Sequence, residues 1–396
     1  MLHVVLALAL AGTGPEAGGP AAPRPHLERA WSAALPARPV VDPFPLDDCD
    51  APATLVALAY RDAVEARRAE DGSVAWRVEG AGIAVSAAGR TCTPWRLGVW
   101  RSDGAGQAGE LLVLDPADGR VLVRGRAAGR PAGAPVAGPG DTGWLLPLAD
   151  GRIALFDDQA RPTGHVALGA EIGGAIVFVA GRALVAEVAT GRLLRADGGP
   201  LGARRLDGLD LSRAAADGPL LVAAGPDERL VAARCTLRRR DRMRCRRRWV
   251  QRLAGSVAGR PLVGPEVVHV VARDTHVYAF RRDNGHLVWR SALGFRPGAL
   301  APLGDDLLLV TGEKAPTLVL VRREDGAPAG RFDAAAGNPA AVLVSGPVAV
   351  EDAVLVVVLT PPAVGPELVA FRLAVGENAA PPAAEEAAGG PAEETR

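Results

Sequence analysis

The sequence predicts an all-β fold, a ring of four-stranded antiparallel sheets forming a β-propeller, and three observations carry that prediction. Turn punctuation is dense: 48 Gly and 33 Pro in 396 residues are more than a helical protein tolerates. A strand-turn-strand grammar recurs at intervals of about 36 to 48 residues, the period of a propeller blade. Finally, the strand that the last repeat lacks can be supplied from the other end of the chain.

The first 25 residues stand apart from the repeats. Val4 to Ala11 is an apolar run, "VVLALALA", followed by Gly- and Pro-rich sequence, and it has the form of a secretory signal with Ala9-Leu10-Ala11 as cleavage site. It is too short to span a bilayer as a helix. Leu10-Ala11-Gly12-Thr13 has the shape of a lipoprotein box with Thr in place of Cys, so no lipid anchor is expected on it. The propeller is expected over residues 26–375. From Gly376 to Arg396, "GENAAPPAAEEAAGGPAEETR" lacks the apolar content for a core and is expected to be a disordered acidic Ala/Pro tail.

The best-preserved repeat runs from Val270 to Gly294, "VVARDTHVYAFRRDNGHLVWRSALG". Its strand-like runs are rich in β-branched and aromatic residues, and Asp283-Asn284-Gly285 supplies a tight turn, since Gly accepts positive φ. A preceding "GRPLVG" makes four strands. The same grammar precedes it three times with Asp71-Gly72, Asp118-Gly119 and Thr163-Gly164 as turns, and a degraded copy begins at Arg182. Trp249 and Gly255 are spaced much as Trp289 and Gly294 are. A later copy has Asp325-Gly326 in its turn and Phe332 in the Trp slot. The last unit lacks a fourth strand, and His26 to Leu35, "HLERAWSAAL", has a fourth strand without the first three. N-terminal closure of the ring accounts for both, and gives eight blades, with seven as the alternative count. Stacking buries the two apolar faces of each sheet, so the Trp residues are expected to pack between blades.

These residues resemble a known family. Val277-Tyr278-Ala279-Phe280, Asn284-Gly285 and Trp289 fill the slots of the pyrroloquinoline-quinone-type (PQQ-like) propeller repeat. In size and blade number the chain is similar to the BamB-like propellers of the outer-membrane β-barrel assembly machinery. That resemblance implies a periplasmic, non-catalytic scaffold that binds protein partners through loops and strand edges. Quinoprotein dehydrogenases share the repeat and hold quinone and calcium on the axis. No adjacent Cys pair and no assignable calcium set support that activity here, so no catalytic residue, cofactor or metal is expected.

The remaining chemistry is sparse. Forty-five basic residues balance 45 acidic ones, so no overall field steers the molecule to nucleic acid or an anionic membrane. "GAGQAG", Gly104 to Gly109, matches G-x-G-x-x-G but runs into a strand, and is read as a hairpin loop. His269, His276 and His286 are read as surface or blade-packing residues. Of the four cysteines, Cys235 and Cys245 lie symmetrically about Arg240, which predicts a disulfide across a hairpin; Cys49 with Cys92 follows by elimination. That hairpin holds nine Arg between 234 and 248. Arg238, Arg239, Arg240, Arg242 and Arg244 are expected to project from its tip and dock an acidic surface, since guanidinium forks pair bidentately with carboxylate. A solvated hairpin in an Arg-rich composition, where Lys314 is the lone lysine, is the competing reading. Aromatic interleaving for stacking bases is missing, so nucleic acid is not expected.

The sequence therefore leads to a non-catalytic, exported, monomeric propeller in the periplasm or cell envelope. It would touch a membrane only peripherally and serve as a scaffold for protein partners. The alternative is a degenerate quinoprotein or small-ligand binder using the central funnel.

Overall fold

The computed structural model describes residues 25–40, 42–46, 53–80, 83–84, 90–92, 95–103, 107–138, 143–203, 206–313, 315–334, 341–350, 354–359 and 365–375. The regular structure among them is β apart from one 3-10 turn, Arg239–Asp241. None of their helices is long and apolar enough to cross a membrane. The signal-like segment, Cys49 and the acidic tail lie outside the described residues.

The strands form eight sheets, consecutive along the chain, which we number in ring order from Phe44. An apolar cluster fills each junction: Ala57 and Trp76 meet Leu97 and Leu112 between the first two sheets, and Val56 and Leu58 meet Val350 and Leu368 where the last returns to the first. Pro25–Ala34 pairs antiparallel with Glu367–Val375, from Pro25↔Val375 to Ala34↔Glu367. The N-terminal strand thus completes the eighth sheet. An internal ion-pair group backs this closure. Buried Glu65 accepts from Tyr60 Oη and Arg67 Nε, both at 2.8 Å, and Arg67 also donates to the Ala34 carbonyl at 3.4 Å.

Seven of the sheets hold four or five strands. The fourth holds three, Val177–Val179, Arg182–Ala186 and Leu193–Arg195, which corrects the expectation of eight four-stranded blades. The cause is local. After Arg195 the chain reads Asp197-Gly198-Gly199-Pro200, residues poorly suited to a ladder because Gly brings no side chain to pack and Pro no donor. The next strand, Leu201–Gly202, pairs in parallel with Met243–Arg244 of the fifth sheet.

Tryptophan joins the blades by one repeated contact. The indole N–H of Trp31, Trp76, Trp249 and Trp289 donates to the carbonyl of Ala69, Pro116, Arg282 and Arg323, at 2.8 to 3.1 Å. Three residues after each carbonyl stands a Gly at positive φ, namely Gly72, Gly119, Gly285 and Gly326. A Cβ on any of them would lie 2.4 to 2.7 Å from the Trp ring. Each Trp lies on the fourth strand of one sheet and covers the turn between third and fourth strands of the next. Those turns therefore share one rim of the ring.

Two expected turn details differ. Thr163 and Gly164 lie within the strand Pro162–Ala167, and the chain reverses before them. There Asp157 Oδ1 accepts the N–H of Gln159 and Arg161, and Ala160 takes positive φ in place of a Gly. Phe332 is not in the Trp slot: it pairs with Leu318, whereas Gly330 pairs with Leu320 as Trp289 pairs with Ala279. Gly104–Gly109 joins two antiparallel strands, Trp95–Ser102 and Ala108–Leu114, which is not the strand-to-helix turn a dinucleotide fingerprint requires. His269 is buried against Trp289 with both ring nitrogens unbonded, and burial pushes its pKa down to about 4. His286 is exposed, and His276 is held by the Asp274 carbonyl at 2.8 Å.

Candidate functional site

In the fifth sheet the hairpin between third and fourth strands, Arg229–Leu237 and Met243–Arg252, is longer than its counterparts. Residues 280–288 separate the paired Ala279 and Trp289, but residues 233–248 separate the paired Ala232 and Trp249. The insertion carries the arginines. Strand alternation sorts it into two faces. Cys235, Met243 and Cys245 point inward and are buried, while Arg234, Arg238, Arg239, Arg240, Arg242, Arg244 and Arg246 are exposed. Cys235 and Cys245 are directly opposite and joined by a disulfide, with Cα atoms 4.0 Å apart.

The hairpin's one acid is committed elsewhere. Asp241 Oδ1 accepts from Arg182 Nη2 at 2.8 Å and Oδ2 from Arg195 Nη2 at 2.6 Å. The Asp241 carbonyl also accepts from Arg195 Nη1. Arg195 is fully buried and donates through Nε to Asp197 Oδ1 at 2.8 Å. First Arg182 and then Arg195 hold the Asp241 carboxyl below the usual carboxylate range. Burial pushes Asp197 up, but the Arg195 guanidinium and the Gly199 N–H outweigh it and leave it low. Arg240 and Asp241 both adopt positive φ, which reverses the chain so that the Asp241 carboxylate turns back toward the fourth sheet.

The tip is therefore a clamped ledge, which corrects the expectation of a finger projecting away from the ring. Its five tip arginines are exposed, and none has an acidic partner among the described residues. The clamp itself was missed in the sequence. Its one signal was a charged residue, Arg195, inside the apolar run "LLRA", a position that demands a buried counter-charge.

Other polar groups are engaged locally. A cavity of about 540 Å³ between the fourth and fifth sheets is lined by Glu187, Thr190, Asp210 and Ser212 among others. Glu187 already accepts from Thr190 Oγ1 at 2.5 Å and Arg192 Nε at 3.2 Å, and Asp210 from Ser212. Among the described residues no three His, Cys, Asp or Glu side chains gather as a metal-binding group.

The repeats, the ring closure and the Trp-on-Gly contacts define a PQQ-type β-propeller. A family model described as outer membrane protein assembly factor BamB matches residues 149–357. That is more than half of the chain, and the chain belongs to this family. Solved structures share the fold. BamB from Moraxella catarrhalis is 15% identical with a TM-score of 0.58, over 88% of this chain and 98% of its own. The computationally designed Ika8 protein is 13% identical with a TM-score of 0.60, over 86% and 98%. The Cps50 (Swd1) β-propeller domain of Myceliophteria thermophila is 12% identical with a TM-score of 0.53, over 88% and 99%. No curated protein sequence matches the chain.

Proposed function

We propose that this protein is an exported, non-catalytic propeller that holds protein partners in the cell envelope during outer-membrane protein assembly. In this reading residues 1–25 are the export leader and residues 26–375 are one propeller domain, in which the three-stranded sheet counts as a reduced eighth blade. The protein acts as a monomer in the periplasm and meets the membrane only peripherally.

The observation that carries the reading is the arginine ledge. Arg238, Arg239, Arg240, Arg242 and Arg244 stand exposed without acidic partners on a hairpin fixed by a disulfide and a buried clamp. A rigid cluster of guanidinium forks suits an acidic protein face, because little side-chain and loop ordering remains to be done on binding. Membership of the BamB family supports the envelope role.

Affinity isolation from the native envelope tests this, comparing the unaltered protein with a variant carrying Ser at all five positions. The variant should recover its partners about tenfold less well or worse, as expected for loss of interface arginines. Equal recovery rejects the ledge as docking surface. Stoichiometric binding of pyrroloquinoline quinone with calcium, accompanied by a rise in Tm, would instead favour a ligand-binding propeller.

A further inference from the structure

We infer that the ledge is covered, in the absence of a partner, by the chain's own acidic segment, residues 376–396. The inference rests on the docking reading above and adds a built-in competitor to it. Three observations place the segment there.

The first is topology. Val375 ends the third strand of the eighth sheet opposite Pro25, where the fourth strand begins. The arginine hairpin likewise joins a third strand to a fourth, in the fifth sheet. Trp31 covers the corresponding turn of the first sheet as Trp249 covers that of the sixth, so these ends face one rim. The segment therefore leaves the ring on the side where the ledge stands.

The second is charge. Residues 376–396 contain Glu377, Glu385, Glu386, Glu393 and Glu394 against a single Arg396. The segment preceding Pro25 at the same rim has only Glu16 against Arg24, so it offers no such complement. On the ledge the five tip arginines lack an acid, because Asp241 is held by Arg182 and Arg195.

The third is reach. Extended, a segment of about 21 residues spans roughly 70 Å. A compact domain of about 350 residues has a radius of gyration near 20 Å, hence a breadth of roughly 50 Å. The segment can cross the rim, and its tether supplies a high effective concentration that strengthens individually weak surface ion pairs.

The test uses the full chain and a fluorescent deca-glutamate peptide as probe, at low salt. One variant changes the five tail glutamates to Gln, a second changes the five tip arginines to Ser, and a third combines both. The Gln variant should bind the peptide about tenfold more tightly than the unaltered protein, as removal of a tethered competitor requires. That gain should vanish in the combined variant. Equal affinity of the Gln variant and the unaltered protein, with weaker binding by the Ser variant, overturns the tail contact and leaves the docking reading standing. Undiminished binding by the Ser variant overturns the docking reading itself. A gain that grows with protein concentration would assign the tail to a second copy and overturn the intramolecular contact.

Discussion

Replacing Gly326 with Ala isolates the contact that joins one blade to the next. Gly326 has φ +75°, and the added Cβ would lie 2.4 Å from Trp289 Cε3. Left-handed backbone costs Ala about 1–2 kcal/mol. The ring cannot retreat cheaply: Trp289 is buried among Val271, Val310 and Val319, with its N–H on the Arg323 carbonyl at 3.1 Å. Forcing it aside adds about 1–3 kcal/mol of overpacking, so Gly326→Ala should lose about 2–4 kcal/mol in all. Gly304 is the control, because it has φ +59° and nothing within 4 Å of its Cβ position. Gly304→Ala should lose only the backbone part, about 1–2 kcal/mol. Urea unfolding at constant m-value measures both. In a Trp289→Ala background the cost of Gly326→Ala should fall to that of Gly304→Ala. Equal costs for the two glycines in the unaltered protein would refute the argument that the Gly is required by the Trp.

Other perturbations read other parts of the account. His269 is neutral in the folded state down to about pH 4, whereas the unfolded group protonates near 6.5. Stability should therefore be unaffected above pH 6.5, fall by about 3 kcal/mol as pH drops from 6.5 to 4, and stop falling below that. Unfolding curves of His269→Phe across this window should lack that component. Asp241→Asn removes the charge that anchors the tip, so hydrogen exchange at residues 238–242 should quicken while exchange in the sixth sheet stays unchanged. Joint replacement of Cys235 and Cys245 by Ala should cost about 2–3 kcal/mol from the reopened ten-residue separation, read by urea unfolding. Glu65→Ala leaves Arg67 buried and unpaired, and should cost about 3–5 kcal/mol in the same assay.

The parts of the fold that rest on local chemistry could be read from the sequence. Asp-Gly and Asn-Gly turns, the Trp that follows them and the symmetry of Cys235 and Cys245 about Arg240 all depend on residues near one another in the chain. Closure by Pro25–Ala34 was legible because a fourth strand without partners stood at one end and a vacancy at the other. What could not be read depends on packing between sheets. Arg195 and Asp241 lie 46 residues apart, and only the stacking of the fourth sheet on the fifth brings them together. The missing strand after Arg195 was hidden because Gly-Gly-Pro resembles any other turn. Ala160 shows the limit of reading turns by Gly: Asp157 captures two amides and holds an Ala in the conformation that a Gly was expected to supply.

The central claim is that the arginine ledge holds a protein partner in the envelope. Its most direct test is photocrosslinking in the cells from which the protein comes, with a photoreactive residue at Leu237, which is exposed beside the tip arginines. The account predicts a discrete crosslink to an envelope protein that presents an acidic face, lost when Arg238, Arg239, Arg240, Arg242 and Arg244 are changed to Ser. A crosslink that survives those changes, or none at Leu237 while positions elsewhere on the ring crosslink strongly, would contradict it.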